Sequence, residues 1–240
     1  MRLLIALLAA LALTGCQITN QNVARATSDY TAAVKKAGLL SLVGERPNLG
    51  YLTASAMESN FALADLPGWD ADATVQKQVG AQLRHKRIDV VALPRVPALA
   101  KIYGTDKNYA NNDEIRAAID AIAAERGLDL IVVVCDKLDS DTVTNTHQMI
   151  RGYGVQRALT TPPTAYASIY VEAIDMKNHF VVAKAGGKQS QALPESVWQS
   201  EFEKSRGVLP IAPATAETVR ATLDRVLANA AATATQEAGF

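Results

Sequence analysis

Cysteine, histidine and aromatic residues are scarce in this sequence. Its 240 residues include two cysteines, three histidines and 5% aromatic side chains, while 49% are hydrophobic and 20% are charged. The 24 basic and 24 acidic side chains give a net charge of zero, so we expect no nucleic-acid partner and no general attraction to an anionic membrane. The composition is typical of a globular protein, and a chain of this length can bury a sizeable core in one domain.

Recognised catalytic and metal-binding motifs are absent from the sequence. The three histidines of the chain are His85, His147 and His179. None of them lies in a His-x-His or His-Glu-x-x-His arrangement. Asp136, Asp139 and Asp141 are close in sequence, but the glycine and the distal glutamate of a calcium-binding loop are missing. Signatures of a nucleophile elbow, a phosphate-binding loop and a dinucleotide-binding loop are also missing. We expect no catalytic residue, no metal and no cofactor, and we favour a protein that is not an enzyme while a hydrolase stays open.

The amino terminus begins with a short apolar run. Arg2 is followed by residues 3–13, which are rich in Leu and Ala, and then by Thr14, Gly15 and Cys16. The run is too short for a membrane-spanning helix, which needs about 20 residues. A short apolar run behind a basic residue is typical of a secretory signal peptide. Residues 1–15 are therefore predicted to be removed from an exported protein.

Leu13-Thr14-Gly15-Cys16 resembles the lipobox of bacterial lipoproteins, in which an aliphatic residue, a small polar residue and Gly precede Cys. In that family the Cys thiol is joined to diacylglycerol, the leader is cut before it, and the new amine is acylated by a fatty acid such as palmitate. The resemblance implies lipidation of Cys16, and two or more acyl chains anchor a protein stably. Gln17 stands where Asp would imply inner-membrane retention, so the resemblance favours the periplasmic face of the outer membrane, with the inner membrane as the alternative.

Lipidation of Cys16 would leave Cys135 as the remaining thiol, which excludes an intramolecular disulfide. Cys135 ends the apolar run of residues 130–135. A buried, unreactive thiol is expected there, rather than a nucleophile.

Hydrophobic periodicity predicts alternating strands and helices in the first half of the chain. The predicted strands are residues 38–43, 50–56, 60–66, 88–93 and 128–135. Asp70 is the expected N-cap of the helix before residues 88–93. Asn111 or Asn112 caps the next helix, and Gly127 ends it. Residues 88–135 are therefore predicted to form a βαβ unit with a right-handed crossover.

A candidate interaction segment follows this unit. Residues 136–163 are polar and rich in Gly and Pro, which predicts an irregular loop with short strand pieces near Val143 and Met149. Glycines on both sides of Tyr153 permit unusual backbone angles, and long loops often carry function. The candidate partner-contact residues are Arg151, Gly152, Tyr153 and Gly154.

The remaining chain completes the predicted fold. Residues 165–175 alternate in polarity and pair with residues 179–185 as a hairpin that ends at Gly186-Gly187. A short helix over 195–205 and a final helix over 215–231 follow. The predicted organisation is a signal peptide at 1–15, a lipidated cysteine, tether and possible short helix at 16–36, a single α/β domain at 37–231 and a tail at 232–240. The fold class is α/β (α+β mixed), in which the βαβ unit and the hairpin form one mixed sheet covered by helices.

The lipobox and this order of elements resemble three groups of envelope proteins. These are curli-secretion-type lipoproteins, outer-membrane lipoprotein activators of penicillin-binding proteins, and the amino-terminal domain of the Tol–Pal β-propeller protein. Leu66-Pro67-Gly68-Trp69 and residues 166–175 are also similar to stretches of uncharacterised proteobacterial lipoproteins. The resemblance implies a non-enzymatic protein that binds or regulates another envelope protein, and it transfers no functional residue. Two alternatives stay open: a periplasmic hydrolase that uses residues 136–163 with His147 as general base, and a carrier of a small ligand or lipid.

Overall fold

The computed structural model describes residues 25–55, 57–103, 107–140, 146 and 148–240, in which helices cover a mixed sheet. The helices are α1 (Ser28–Ala33), α2 (Ala71–His85), α3 (Pro97–Ile102), α4 (Asp113–Arg126) and α5 (Pro213–Glu237). The strands are β1 (Lys36–Ser41), β2 (Asn48–Leu52), β3 (Asn60–Asp65), β4 (Asp89–Leu93), β5 (Leu130–Asp136), β6 (Leu138–Ser140), β7 (Met149–Ala158), β8 (Thr164–Asp175), β9 (Phe180–Ala192) and β10 (Val208–Pro210). Within these ranges, no helix combines the length and the apolar character that a bilayer crossing requires. The predicted signal peptide, Cys16, Asp141, Val143 and His147 lie outside the described residues.

The sheet is organised around β8. Its ten strands run in the order β10-β3-β2-β7-β8-β5-β1-β4, while β6 pairs with β7 and β9 pairs with β8. The first part of β8 pairs with β7 and the second part with β5, so both branches of the sheet meet on one side of this long strand. On its other side β8 pairs along its whole length with β9. This single mixed α/β domain confirms the predicted fold class.

Apolar side chains cover both faces of the sheet. One buried cluster joins β1, β5, β8 and β9 to α2 and α5, and it includes Val75, Leu83 and Leu223. A second cluster joins the opposite face to α3 and α4 through Leu99 and Ile119. Because β5 is covered on both faces, residues Leu130 to Cys135 are all buried, which explains their uninterrupted apolar run.

Local capping signals in the sequence define the two central helices. The Asp70 side chain accepts a hydrogen bond from the Ala73 N–H at 3.0 Å, and Asn112 accepts one from Ile115 at 2.9 Å. Each bond satisfies a backbone donor that the first helical turn leaves free. Gly127 ends α4 in the left-handed conformation with a φ of 60°. These observations confirm the predicted starts of α2 and α4 and the predicted end of α4.

The predicted βαβ unit over residues 88–135 is present, but another strand separates its two parallel strands. Strands β4 and β5 are both parallel to β1, but β1 lies between them. The helices that follow β4 therefore cross over a strand from earlier in the chain. Periodicity identifies a strand but does not report which other strand it pairs with.

The predicted irregular loop over residues 136–163 is wrong for much of its length, although the strand piece predicted near Met149 is confirmed. Residues 138–140 form β6, and residues 149–158 form β7, which pairs with β2 and β8. The polar, glycine-rich composition suggested a loop. Strand pairing nevertheless tolerates glycine where another segment of the chain approaches closely.

Two element ends and one helix type also differ from prediction. Strand β9 continues through Gly186-Gly187 to Ala192, and α5 runs six residues beyond Ala231 to Glu237. The predicted helix over 195–205 consists of two 3-10 turns, Glu195–Val197 and Ser200–Glu203.

Candidate functional site

The four candidate contact residues lie in a strand and not in a loop. Arg151, Gly152, Tyr153 and Gly154 belong to β7, and the Tyr153 side chain is only 1% exposed. A Cβ atom at Gly154 would lie 2.1 Å from the Asn48 carbonyl oxygen, so the close approach of β2 requires glycine there. Contact between these residues and a partner stays a prediction, and the buried ring of Tyr153 is not presented at the surface.

Polar side chains gather where the parallel strands β1, β4 and β5 end. We call Gly44, Asp72, Arg95, Asp136 and Tyr153 the carboxyl-end cluster. Gly44 and Arg95 follow β1 and β4, and Asp136 is the last residue of β5. Parallel strands bring their carboxyl ends to one edge of a sheet, where α/β proteins commonly place their ligand sites.

Arg95 connects three elements of the carboxyl-end cluster. Its Nη1 atom lies 3.1 Å from Asp72 Oδ2 in the first turn of α2 and donates a hydrogen bond to the Val43 carbonyl oxygen. Its Nε atom lies 3.5 Å from Glu45 Oε1. The guanidinium group therefore ties α2 and the chain after β1 to the chain after β4.

Asp136 and Tyr153 fix the chain at Gly44 from two sides. Asp136 accepts a hydrogen bond from the Gly44 N–H at 3.2 Å, and the Tyr153 hydroxyl donates to the Gly44 carbonyl oxygen at 2.5 Å. The Tyr153 ring meets Trp69 edge-on, with ring centroids 5.4 Å apart. Both backbone polar groups of Gly44 are thus satisfied by side chains.

Burial dominates the electrostatics of the carboxyl-end cluster. Desolvation raises the pKa of Asp136 and of Asp72 above the ordinary aspartate value, although Gly44 and two arginines oppose the rise at Asp136. Desolvation and the charge of Asp136 also raise the pKa of Tyr153 far above its ordinary range. The cluster holds five chain segments together, and its polar groups point at one another.

A second buried carboxylate lies on the face of the sheet that α3 and α4 cover. Glu172 on β8 is fully buried, and its Oε1 atom lies 3.0 Å from Lys184 Nζ on β9. The Tyr103 hydroxyl donates to its other oxygen, and the Tyr109 N–H approaches the same atom at 3.4 Å. Desolvation raises the pKa of Glu172 above 4.5, despite the opposing effect of Lys184.

The hairpin turn between β8 and β9 carries a small surface groove of about 410 Å³. The Tyr109 hydroxyl donates to Asp120 Oδ1 at 2.7 Å, and His179 Nδ1 lies 3.3 Å from the same oxygen. Arg116 and Phe180 complete the wall. No sequence motif connects His179 with Asp120, which is 59 residues away in sequence.

The outer edge of β9 is the longest free strand edge in the described part of the chain. Strand β9 has thirteen residues, contains no proline and pairs there with β8 alone. The two ends of the sheet are better protected: β10 has three residues and ends in Pro210, and β4 has five residues and is followed by Pro94. Short edges and prolines hinder pairing with another chain, so β9 is the edge most open to it.

No three His, Cys, Asp or Glu side chains among the described residues converge to hold a metal ion. Cys135 is 1% exposed, and burial raises the pKa of its thiol to about 12, so it is a weak nucleophile at neutral pH. Sequence patterns did not identify Arg95 or Glu172 as residues of polar clusters. Glu172 was placed on one strand face by alternation, but its burial depends on the chain around Tyr103, which no local pattern connects to β8.

Comparisons with known proteins give structural likeness alone. No family model matches the chain, and no curated protein matches it in sequence. Similar solved structures include the PelC dodecamer from Paraburkholderia phytofirmans, with 9% identity and a TM-score of 0.38 over 90% of this chain and 94% of that chain. A Xanthomonas campestris protein of the DUF330 family has 10% identity and a TM-score of 0.42 over 83% of this chain and 80% of that one. Lipoprotein GNA1162 from Neisseria meningitidis has 11% identity and a TM-score of 0.34 over 70% and 90% of the two chains. At such identities and TM-scores, neither an activity nor a partner transfers to this chain.

Proposed function

We propose that this chain is a lipid-anchored protein of the bacterial cell envelope that binds another envelope protein through the outer edge of β9. The anchor is the lipidated Cys16, reached through the signal peptide at residues 1–15. Gln17 after the lipidated residue favours the periplasmic face of the outer membrane over the inner membrane. The free edge of β9 supports the binding role, since its thirteen residues offer backbone donors and acceptors to an extended segment.

The framework behind β9 supports strand addition. Helix α5 packs closely on the inner part of β9, where the Gly187 backbone touches the Ala230 carbonyl group. Lys184 and Lys188 are held on the other face by ion pairs with Glu172 and Asp139. The strand is therefore fixed in place on both faces while its outer edge stays open. Because β9 is already ordered, pairing with a partner segment costs little conformational entropy in this chain.

Neither alternative from the sequence gains a specific observation in the described residues. His147 lies outside them. The surface grooves beside α2 and α5 have volumes of about 410 Å³ and 320 Å³ and are lined by charged side chains such as Lys86 and Asp224, whereas a lipid carrier needs an apolar cavity.

Mass spectrometry of the protein purified from membranes tests the anchor. We expect a mature chain that begins at Cys16 and carries a thioether-linked diacylglycerol and an amide-linked fatty acid. A Cys16→Ala variant is expected to lose this modification and to leave the membrane fraction. An unmodified sulfur at Cys16, or an intact leader, would contradict the proposed anchor.

Site-specific photo-crosslinking in cells tests the β9 edge. A photo-reactive amino acid at Ser190, an exposed residue of β9, is expected to capture one envelope protein. The matched control carries the same group at Ala92, an exposed residue of the other edge strand β4. A synthetic peptide of the captured segment should then bind the purified chain, and methylation of alternate backbone nitrogens in that peptide should abolish binding. Equal capture at both positions, or binding insensitive to methylation, would refute strand addition at β9. Capture of a second copy of this chain would refute the proposal that the partner is another envelope protein.

A further inference from the structure

We propose that the segment that pairs with the outer edge of β9 carries an acidic side chain directly opposite Gly186, where its carboxylate meets the ammonium group of Lys137. This inference rests on the proposed function, because it specifies the chemistry of the segment that adds to β9. Hydrogen-bond alternation along β9 determines the position, and the placement of one lysine over a glycine determines the kind of side chain.

Alternate residues of β9 direct their backbone groups away from β8. The Leu193 N–H donates to the Pro163 carbonyl oxygen at 2.7 Å, so Leu193 faces β8 just beyond the end of β9. In an antiparallel pair, residues that bond to the partner strand alternate with residues whose N–H and C=O groups point to the other side. The register with β8 stays regular from Ala192 back to Ala183. The outward-facing residues of β9 are therefore Lys184, Gly186, Lys188, Ser190 and Ala192.

A contact on the other side of β8 agrees with this alternation. The Lys137 N–H donates to the Ser168 carbonyl oxygen at 3.0 Å, so Ser168 directs its carbonyl group away from β9. Lys188, which lies opposite Ser168, must then direct its own backbone groups away from β8. The pairing of β8 with β9 skips Val182, and such a bulge bends the strand. A partner segment therefore finds a regular edge over residues 184–192.

The Lys137 side chain lies over Gly186 at this edge. A Cβ atom at Gly186 would lie 3.1 Å from Lys137 Nζ and 3.2 Å from Lys137 Cδ. Because Gly186 has no side chain, the ammonium group occupies the space above its backbone, and the Lys137 side chain is 42% exposed. Neighbouring strands lie about 4.8 Å apart, and residues directly opposite each other project to the same face. The side chain opposite Gly186 would therefore emerge beside Lys137 Nζ, whichever way the partner segment runs.

Three ammonium groups share two carboxylates around this position. Lys184 and Lys188 flank the glycine two residues away on each side and project to the same face. Lys184 Nζ lies 3.0 Å from Glu172 Oε1. Lys137 Nζ and Lys188 Nζ both lie near Asp139 Oδ2, at 3.4 Å and 3.8 Å, and no further carboxylate of the described residues lies within 4.0 Å of the three lysines. One acidic side chain in the partner segment would give each lysine a carboxylate and form a charge-assisted hydrogen bond with Lys137.

The opposite face of β9 provides no equivalent position. Gly187 projects to that face, where a Cβ atom would lie 1.9 Å from the Ala230 carbonyl oxygen of α5. Arg225 of α5 reaches the same face further along the strand, where it donates to Gln191 Oε1 at 2.9 Å. A shift of the partner segment by one residue would move its acidic side chain to this face. The contact with Lys137 would therefore also fix the register of the added strand.

Peptide binding to the purified, lipidated protein in detergent tests the carboxylate. The probe is a synthetic peptide of the segment captured by the photo-reactive group at Ser190. We expect exchange of one Asp or Glu of this peptide for its amide to weaken binding at least about fivefold. A peptide of the same composition, with that acidic residue moved by one position, should bind as weakly as the amide peptide, because its carboxylate would face α5.

Lys137→Met completes a double-mutant cycle with the amide peptide. This variant should bind the acidic peptide at least about fivefold more weakly than the parent chain does, and it should bind the acidic and amide peptides equally. Lys137→Arg keeps the positive charge and should keep the binding. The matched control Lys77→Met removes an exposed ammonium group from α2 and should bind both peptides as the parent chain does.

Three results would overturn the carboxylate while strand addition at β9 stands. These are a captured segment without Asp or Glu, an amide peptide that binds as tightly as the acidic one, and equal weakening by Lys137→Met and Lys77→Met. Failure of the group at Ser190 to capture any protein would instead overturn the proposed function, and this inference with it.

Discussion

At the scale of single residues, the most consequential contact is the ion pair between Glu172 and Lys184. Glu172 is fully buried, and Lys184 is its one charged partner within 4.0 Å among the described residues. Removal of one member of such a pair costs more than the pair contributes, because the other charge stays buried without compensation. The pair therefore makes the attachment of β9 to β8 sensitive to a single side chain.

We expect Lys184→Met to lower the free energy of unfolding by about 3 kcal/mol at pH 7.5. The loss should be smaller at pH 5, since protonation of Glu172 removes the uncompensated charge. The folded-state pKa of Glu172 already lies above its unfolded value of 4.5. Between these two pKa values the folded protein binds more protons than the unfolded protein, so its stability falls as the pH rises through this range. Urea unfolding at the two pH values measures both effects.

Lys188→Met provides the matched control on the same strand. Lys188 has the same 28% side-chain exposure as Lys184, but it lies 3.8 Å from Asp139, whose side chain is 27% exposed. Its loss should cost only about 1 kcal/mol and depend little on pH. Equal losses of unfolding free energy in the two variants would show that the ion pair with buried Glu172 contributes no more to stability than the exposed pair does.

At the scale of elements, local signals predicted well and long-range pairing did not. The caps at Asp70 and Asn112 and the hairpin between β8 and β9 depend on neighbouring residues, and each was predicted correctly. The pairing of β2 with β7 joins segments about 100 residues apart, and no periodicity records such a contact. The clustering of Arg95 with Asp72 and Asp136 depends on the order β4-β1-β5, so it could not be predicted from the sequence.

The two adjacent glycines of β9 illustrate this limit. Gly186-Gly187 was predicted to end the strand, because glycine weakens strand interiors. In the fold, a Cβ atom at Gly187 would lie 1.9 Å from the Ala230 carbonyl oxygen of α5, whereas one at Gly186 would meet only the flexible end of Lys137 at 3.1 Å. Gly187 is a packing requirement of a helix more than 25 residues later, not a strand terminator.

We expect Gly187→Ala to lower the free energy of unfolding by about 3 kcal/mol, because α5 must move away from β9. Gly186→Ala is the matched control and should change stability by less than about 1 kcal/mol, since the Lys137 side chain can shift. Thermal unfolding of the two purified variants compares them directly. A Gly187→Ala protein as stable as its neighbour variant would contradict the close approach of α5.

At the scale of the whole molecule, both ends of the described chain are joined. The Ala26 N–H bonds to Ala238, and a Cβ atom at Gly239 would lie 2.4 Å from the Ala26 carbonyl oxygen. Phe240 is 4% exposed and belongs to the same buried cluster as Leu83 of α2. The last residues are thus part of the core, which corrects the expectation of a tail over 232–240.

Phe240→Ala should therefore destabilise the protein by about 3 kcal/mol, which corresponds to a fall in Tm of roughly 6–12 °C for a chain of this size. Glu237→Ala, at an exposed position of the last turn of α5, is the control and should leave Tm unchanged. Differential scanning calorimetry measures both. A Tm for Phe240→Ala within a degree of the control would mean that the aromatic ring contributes nothing to the core.

The junction of Ala26 with Ala238 also bears on how this protein can be labelled. A fluorescent reporter or affinity tag joined after Phe240 would emerge a few ångströms from Ala26, close to the start of the described chain, and it would compete with the preceding segment for the same narrow space. Leu159, which is 77% exposed and directly follows β7, offers an insertion point that leaves the core and the joined ends of the chain undisturbed.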